Sequence, residues 1–99
     1  MDLKAIIAHE IQPYAGEMLN GYAYLTVSAD QSVFTVVSVA RIKSERIIHL
    51  SLHIRVVGDH IIIEYDDSSE PLVDTLLRAG VSRSQIVLAY TGEAVSETA

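Results

Sequence analysis

The sequence contains no cysteine, and it has only two prolines, five glycines and one phenylalanine in 99 residues. The absence of cysteine excludes disulfide bonds, thiolate metal sites and cysteine nucleophiles. The chain also lacks an apolar run of about 18 residues, the length that a helix needs to cross a bilayer. Its N-terminus has no basic region of the kind that begins a secretion signal. We therefore expect a soluble, cytoplasmic protein that does not bind membranes.

Positive charge is also scarce, because seven lysines and arginines stand against 13 acidic residues and give a net charge of −6. Contacts to phosphate dominate the affinity of proteins for nucleic acids. Among the basic residues only Arg41, Lys43 and Arg46 lie close together, and a solvated turn explains so short a cluster. The sequence therefore argues against direct binding to nucleic acid.

What the chain has in abundance is apolar residues, which make up 49% of the sequence. This length and composition predict one folded domain over residues 1–99, because the chain can bury one core but not two. The polar tail, residues 92–99, is expected to fray.

A predicted β-hairpin, Ile47–Asp67, organises the rest of the chain. Two apolar-rich runs, Ile47–Val57 and His60–Tyr65, flank Gly58-Asp59, which suits a two-residue type II′ turn. The register set by this turn places one group of side chains in the core, namely Leu52, Ile54, Val56, Ile61, Ile63 and Tyr65. The other side carries a mainly polar group, namely His49, Ser51, His53, Arg55, Ile62, Glu64 and Asp66. In this register His53 lies opposite Glu64, and Ser51 lies opposite Asp66.

Two helices are predicted on either side of the strands. Asp2–Leu19 has an apolar stripe at helical spacing, with a kink expected at Pro13 and an end at Asn20-Gly21. Ser68–Gly80 has a serine to cap its start, Pro71 in its first turn and Gly80 to stop it.

Short runs of β-branched and aromatic residues complete the predicted sheet. Tyr22–Ala29 and Val33–Ile42 form a second hairpin, and a turn near Lys43–Glu45 leads into Ile47–Asp67. Ile86–Tyr90 is a fifth strand or a buried segment at the sheet edge. The predicted fold class is therefore α+β, a four- to five-stranded antiparallel sheet with both helices on one face.

The sheet side opposite the helices, called the open face below, is predicted to be too apolar for contact with solvent alone. Such mixtures of aromatic, β-branched and histidine side chains are typical of protein–protein surfaces. We therefore predict an interface for a partner or for self-association. Its proposed residues are Tyr24, Val37, Val39, His49, Ser51, His53, Arg55, Ile62 and Glu64.

Catalytic and metal-binding interpretations of the same side chains are weaker. His49 and His53 lie four residues apart on one strand, about 13 Å at the usual rise per residue, which is too far to share one ion. Ser51 lies on the same predicted face as His53, but the Gly-x-Ser-x-Gly elbow of many hydrolases is absent. We expect no catalytic residue, metal site or cofactor. The acidic Asp66-Asp67 corner is explained by the adjacent helix N-terminus, and contact with a basic partner is the alternative.

The hairpin and the segments after it resemble the XisI-like family, the cyanobacterial fdxN element excision controlling factors. The similarity rests on the order and spacing of His53–Asp66, Leu77–Val81 and Gln85–Tyr90, and it extends over roughly Ala5–Tyr90. In that family a His-Ile-x-Ile strand turns into an Ile-x-Ile-Gln strand. A helix ending in Ala-Gly and an Ile-Val-Leu-Ala strand then follow.

This resemblance implies a non-enzymatic accessory factor that works with an XisH-like protein to control excision of a DNA element. The chain departs from the family in having Gly58-Asp59 for Asp-Gly and Ala40-Arg41 for Gly-Trp. It also reaches Tyr90–Val95 without a His-Pro-Pro loop. Two alternatives remain open: a self-contained homo-oligomer, and a small-ligand-binding or hydrolytic domain that uses His53 and Glu64.

Overall fold

The structure of the protein, a computed structural model, describes residues 1–95. The predicted fraying of residues 92–99 therefore falls partly outside the described residues. The helices are α1 (Leu3–Glu10) and α2 (Leu72–Arg78), and the strands are β1 (Gly16–Met18), β2 (Gly21–Val27), β3 (Val33–Ile42), β4 (Glu45–Val57), β5 (His60–Asp66) and β6 (Ile86–Leu88). The described strands form one sheet in sequence order. Their pairing is antiparallel except between β5 and β6, which run parallel.

The predicted α+β class and the run of four consecutive antiparallel strands are confirmed, but the described sheet has six strands and the β5–β6 pair is parallel, where an antiparallel sheet of four or five strands was predicted. Ile86–Leu88 is a strand, as one of the two interpretations of Ile86–Tyr90 proposed. Both helices pack on the same face of the sheet, as predicted, where Leu3, Ile7, Leu72 and Leu76 join the sheet residues in one buried cluster. The sheet members of that cluster are Phe34, Val36, Leu52, Ile54, Val56, Ile61, Ile63 and Ile86.

The N-terminal prediction is wrong beyond Glu10, because the chain does not continue as a kinked helix to Leu19. The first helix begins as expected, with the Asp2 carboxylate accepting from the Ala5 amide at 3.2 Å. Pro13 has no amide proton, and its ring would clash with the carbonyl of His9 in a continuous helix. The helix therefore ends before Pro13 and a 3-10 turn, Gln12–Tyr14, follows. The chain then forms β1, so that Leu19 and Asn20 make a hairpin turn into β2.

The second helix begins at Leu72, later than the predicted Ser68. The reason is Asp66, whose carboxylate accepts from the amides of Ser68 at 2.9 Å and Leu72 at 2.7 Å. These bonds hold residues 67–71 as a loop and satisfy a helix amide that has no partner within the helix. The helix ends as predicted, with Gly80 just beyond it at a left-handed φ of 97°.

Two β-bulges in the central hairpin and its neighbour change the predicted register. The turn at Gly58 pairs Val57 with His60 and Ile54 with Ile63, as expected, but Glu64 is then skipped and His53 pairs with Tyr65. On the other side of β4, Val36 pairs with Leu52 and Val37 with Leu50, so Ser51 is skipped. Each extra residue moves the following side chains to the opposite face of the sheet.

The bulge at Glu64 moves Tyr65 to the face of His53, so the prediction that Tyr65 lies in the core is wrong. Asp66 lies opposite Leu52 on the helix side, which lets it bind the start of α2. The predictions that Ser51 pairs with Asp66 and that His53 pairs with Glu64 are therefore wrong.

At the far end of the sheet, β3 and β4 extend beyond the helices as a hairpin arm. Residues 45–50 of β4 are all exposed. The turn of this arm is Lys43-Ser44, with φ values of 51° and 69°. Two consecutive left-handed residues make a type I′ turn, which matches the twist of the strands but strains residues other than glycine or asparagine. Among residues 1–95, no helix is long and apolar enough to cross a membrane.

Substitution of Ser44 by glycine is expected to stabilise the protein by about 0.5–1 kcal/mol, because relief of left-handed strain exceeds the added entropy of the unfolded chain. The midpoint of thermal unfolding, followed by circular dichroism, should rise by about 2–8 °C. The opposite change, Gly58→Ala, should lower the stability by about 1 kcal/mol, since Gly58 has a φ of 59° that strains any residue with a Cβ. No atom lies within 4 Å of the added Cβ, so a steric clash does not contribute. A lower midpoint for Ser44→Gly would contradict the assigned turn.

Candidate protein-binding face

The open face carries two rows of apolar side chains that run across three strands. Residues that pair across antiparallel strands share a face, so the register defines both rows. The rows are Tyr22, Val39 and Ile48, and Tyr24, Val37 and Leu50. We call these six residues the apolar grid. The helices cover the other side of the sheet, so within the described chain this grid faces outward.

Exposure of the grid is large at its edges. Ile48 is 70% exposed and Tyr24 is 53% exposed, while the central Val37 and Val39 are half-buried by their neighbours. The rings of Tyr22 and Tyr24 contact each other with centroids 4.8 Å apart and planes at 47°. Burying a large apolar side chain contributes about 1.5–3 kcal/mol. Contiguous exposed apolar surface of this kind is typical of a protein-binding site.

Polar residues beside the grid are bonded to one another. Thr35 Oγ1 and His53 Nδ1 are 2.9 Å apart, and Arg55 Nε donates to Glu64 Oε2 at 2.7 Å. The predicted His53–Glu64 pair is therefore replaced by two other pairs. On the β5 side the cause is the bulge at Glu64, which brings Tyr65 rather than Glu64 opposite His53. On the β3 side, Thr35 lies opposite His53 in the pairing of β3 with β4.

Two residues of the predicted interface, His49 and Ser51, do not lie on the open face. The bulge at Ser51 places His49 opposite Ser38, which is buried on the helix side. There His49 Nε2 lies 2.7 Å from the Asp67 carboxylate, and its carbonyl accepts from Ser38 Oγ at 3.2 Å. The expectation that His49, Ser51, His53 and Arg55 form one column is wrong, because the strand is not regular between them.

Ile62 also differs from expectation. It lies on the open side of β5, between Arg55 and Val87 in the strand register, but it is only 1% exposed. It is therefore part of the interior and offers no contact surface. Of the predicted apolar residues, Tyr24, Val37 and Val39 do lie on the open face, as expected.

Sequence reasoning missed Tyr22, Ile48 and Leu50. Tyr22 was within reach, since it precedes Tyr24 by two residues on one strand and so shares its face. Ile48 and Leu50 carried no such signal, because a regular strand would have turned them toward the helices. Only the bulge at Ser51 brings them to the open face.

A second candidate site is a cleft of about 410 Å³ on the helix side, between the 3-10 turn, β1 and the loop before α2. Hydroxyl and carboxylate groups line it, from residues that include Tyr14, Ser38, Ser51, Asp67 and Glu70. The Tyr14 hydroxyl donates to the Glu70 carbonyl at 2.8 Å and lies 2.7 Å from Thr75 Oγ1. These bonds fasten the 3-10 turn to the loop before α2 and to α2 itself. Among residues 1–95, no group of three or more histidines and carboxylates is arranged to hold a metal ion.

The Tyr14 contacts make a prediction about alkaline pH. Burial raises the pKa of Tyr14, and the nearby Glu70 carboxylate adds to the effect. The folded state therefore holds this proton more tightly than the unfolded state, and stability should fall as the pH rises past about 10. In Tyr14→Phe the loss of stability above that pH, measured by urea denaturation, should be smaller than in the native protein. Tyr22→Phe is the control, and an equal effect in both variants would contradict the prediction.

Gly21 fixes the corner where the grid meets the hairpin arm. A Cβ atom at this position would lie 1.8 Å from the carbonyl oxygen of Val39, an impossible separation. Gly21→Ala is therefore expected to push β2 away from β3 and to cost about 2–3 kcal/mol of stability, measured by urea denaturation. The neighbouring Asn20→Ala should change the stability by less than about 0.5 kcal/mol. Equal stability of the two variants would show that β2 and β3 approach less closely.

These features define a class of protein: a two-layer α+β domain whose antiparallel sheet is covered by helices on one face and bears an apolar surface on the other. The family model described as XisI protein matches residues 3–99. The chain therefore belongs to the XisI family, and the resemblance found in the sequence is confirmed.

Two crystal structures from Anabaena variabilis ATCC 29413 are similar to the chain. One is the fdxN element excision controlling factor XisI, with a TM-score of 0.67, 20% identity and 88% of each chain covered. The other is a XisI-like protein, with a TM-score of 0.68, 17% identity, and 95% of this chain and 93% of that chain covered. At this identity the likeness establishes the shared fold. Among curated proteins, none matches the sequence significantly.

Proposed function

We propose that the protein is a non-enzymatic factor that controls excision of a DNA element by binding a partner protein through its open face. Membership of the XisI family and the shared fold with an excision controlling factor support the role in excision. The apolar grid is the observation that carries the proposed mode of action. It offers a preformed surface whose burial would stabilise a complex.

The distribution of charge supports action through a protein rather than through DNA. The chain has a net charge of −6, which repels a phosphate backbone. Control of a DNA rearrangement by such a chain is best explained by contact with the protein that acts on DNA. The resemblance to the XisI-like family implies an XisH-like protein, and we propose such a protein as the partner.

The bonded polar pairs beside the grid favour its use as a binding surface. The Thr35–His53 and Arg55–Glu64 pairs satisfy groups that would otherwise need water when a partner covers the face. Their mutual bonding also argues against the alternative in which His53 and Glu64 act together on a small ligand. Self-association through the same face is the competing proposal, and an experiment must distinguish it from binding of a partner protein.

Two neighbouring isoleucines provide a matched test. Ile48 lies in the grid, whereas Ile47 pairs with Ala40 on the opposite side of the sheet and is 39% exposed. Ile48→Glu should weaken the complex with a co-expressed XisH-like protein by about 30-fold or more, because it buries a charge within the contact. Ile47→Glu should retain the complex. Light scattering after size-exclusion chromatography measures both, and thermal unfolding checks that both variants fold.

A complex that survives Ile48→Glu would remove the grid as the contact surface. A homo-oligomer that Ile48→Glu dissociates and that ignores the XisH-like protein would assign the face to self-assembly. Loss of the complex in both variants would point to a contact at the arm as a whole and not at the open face.

A further inference from the structure

The arm ends in an unusual arrangement of positive charge. Arg41 and Arg46 lie directly opposite each other on β3 and β4, and Lys43 lies in the turn between them. We call these three residues the basic tip. Like charges at directly opposed positions destabilise a sheet. Within residues 1–95 none of the three forms an ion pair with a carboxylate. Glu45, the residue before Arg46, lies on the other side of β4.

The basic tip is continuous with the apolar grid. The two arginines follow the row of Tyr22, Val39 and Ile48 by one step along the same face. A shallow depression of about 220 Å³ lies at the junction, lined by Tyr22, Tyr24, Val39, Arg41 and Arg46 among others. An anionic group in this depression would meet two guanidinium groups, whose planar donors match a carboxylate, beside an apolar aromatic wall.

The charge of the open face is opposite to that of the chain. By register this face carries Arg41, Arg46 and Arg55 against Glu17 and Glu64, and Glu64 already binds Arg55. The whole chain has a net charge of −6. A second copy packed face to face would therefore bring arginines together with few free carboxylates. The charge of the open face therefore favours a different protein over a second copy as the partner.

We propose that the basic tip and the adjoining tyrosines dock an acidic segment of a partner protein, whose carboxylates bind Arg41 and Arg46 while its apolar side chains cover the grid. This inference rests on the proposed function, because it names the chemistry of the partner at the same face. Nucleic acid is a poorer occupant, since three cations on an acidic chain neutralise few phosphates. Apolar side chains such as Ile48 and Leu50 also have no role beside a phosphate backbone.

The test uses a synthetic peptide of alternating glutamate and leucine pairs, titrated into the isotope-labelled full chain and followed by amide chemical shifts. The shifts should concentrate at Tyr22, Val39, Arg41 and Arg46, and the affinity should fall with added salt. Arg41→Gln/Arg46→Gln should weaken binding by about fivefold to twentyfold at low salt. The matched control, Lys4→Gln/Arg78→Gln, removes the same charge elsewhere and should leave the affinity unchanged.

Four results would overturn the proposal. The first is an absence of shifts at the tip, and the second is an equal loss of affinity in the control. The third is tighter, tip-dependent binding of duplex DNA than of the peptide, which would assign the tip to nucleic acid. The fourth is a set of shifts that depends on protein concentration without peptide and disappears in Arg41→Gln/Arg46→Gln, which would assign the tip to a second copy.

The proposed function can fail separately from this inference. If Ile48→Glu abolishes the complex with the XisH-like protein while Arg41→Gln/Arg46→Gln leaves both that complex and peptide binding intact, the grid is the contact surface and the acidic segment is refuted. If the peptide binds at the tip but no XisH-like complex forms, the docking chemistry stands and the partner has been assigned wrongly.

Discussion

The register of β4 is the constraint on which the rest of the structure depends. This strand pairs with β3 on one side and with β5 on the other, and a residue is skipped in each pairing. A single skipped residue exchanges the two faces of everything beyond it. The bulge at Ser51 places Ile48 and Leu50 on the open face and His49 on the helix side. Without it the apolar grid would lose one of its three strands.

The second bulge links the sheet to the helix layer. Skipping Glu64 moves Asp66 to the helix side, where its carboxylate binds the amides of Ser68 and Leu72 and so sets the start of α2. The same displacement frees Glu64 to bind Arg55. One irregularity in a strand thus determines a helix boundary on one face and an ion pair on the other. Both are local consequences of satisfying polar groups near a buried sheet.

Local chemistry explains which parts of the fold the sequence could predict. The Gly58-Asp59 turn and the alternation around it give the correct register from Val57 to Ile54, since turn geometry acts over a few residues. Pro13 is a harder case, because the apolar spacing continues past it and conceals the change from helix to strand. The bulges were out of reach: they depend on how β4 packs against two strands and a helix layer at once, and no single residue type signals them.

The division of charge explains how one small domain can present two different surfaces. Three carboxylates on the helix side are used within the fold: Asp66 accepts from the Leu72 amide, Asp67 lies against His49 Nε2, and Glu70 accepts from Arg78. Arg41 and Arg46 form no ion pair within residues 1–95, and their opposition across two strands costs stability. Removing both arginines would relieve that repulsion without disturbing the core. The proposed binding mode accounts for their position beside exposed tyrosines and aliphatic side chains, because a partner with an acidic segment would supply both carboxylates and apolar cover.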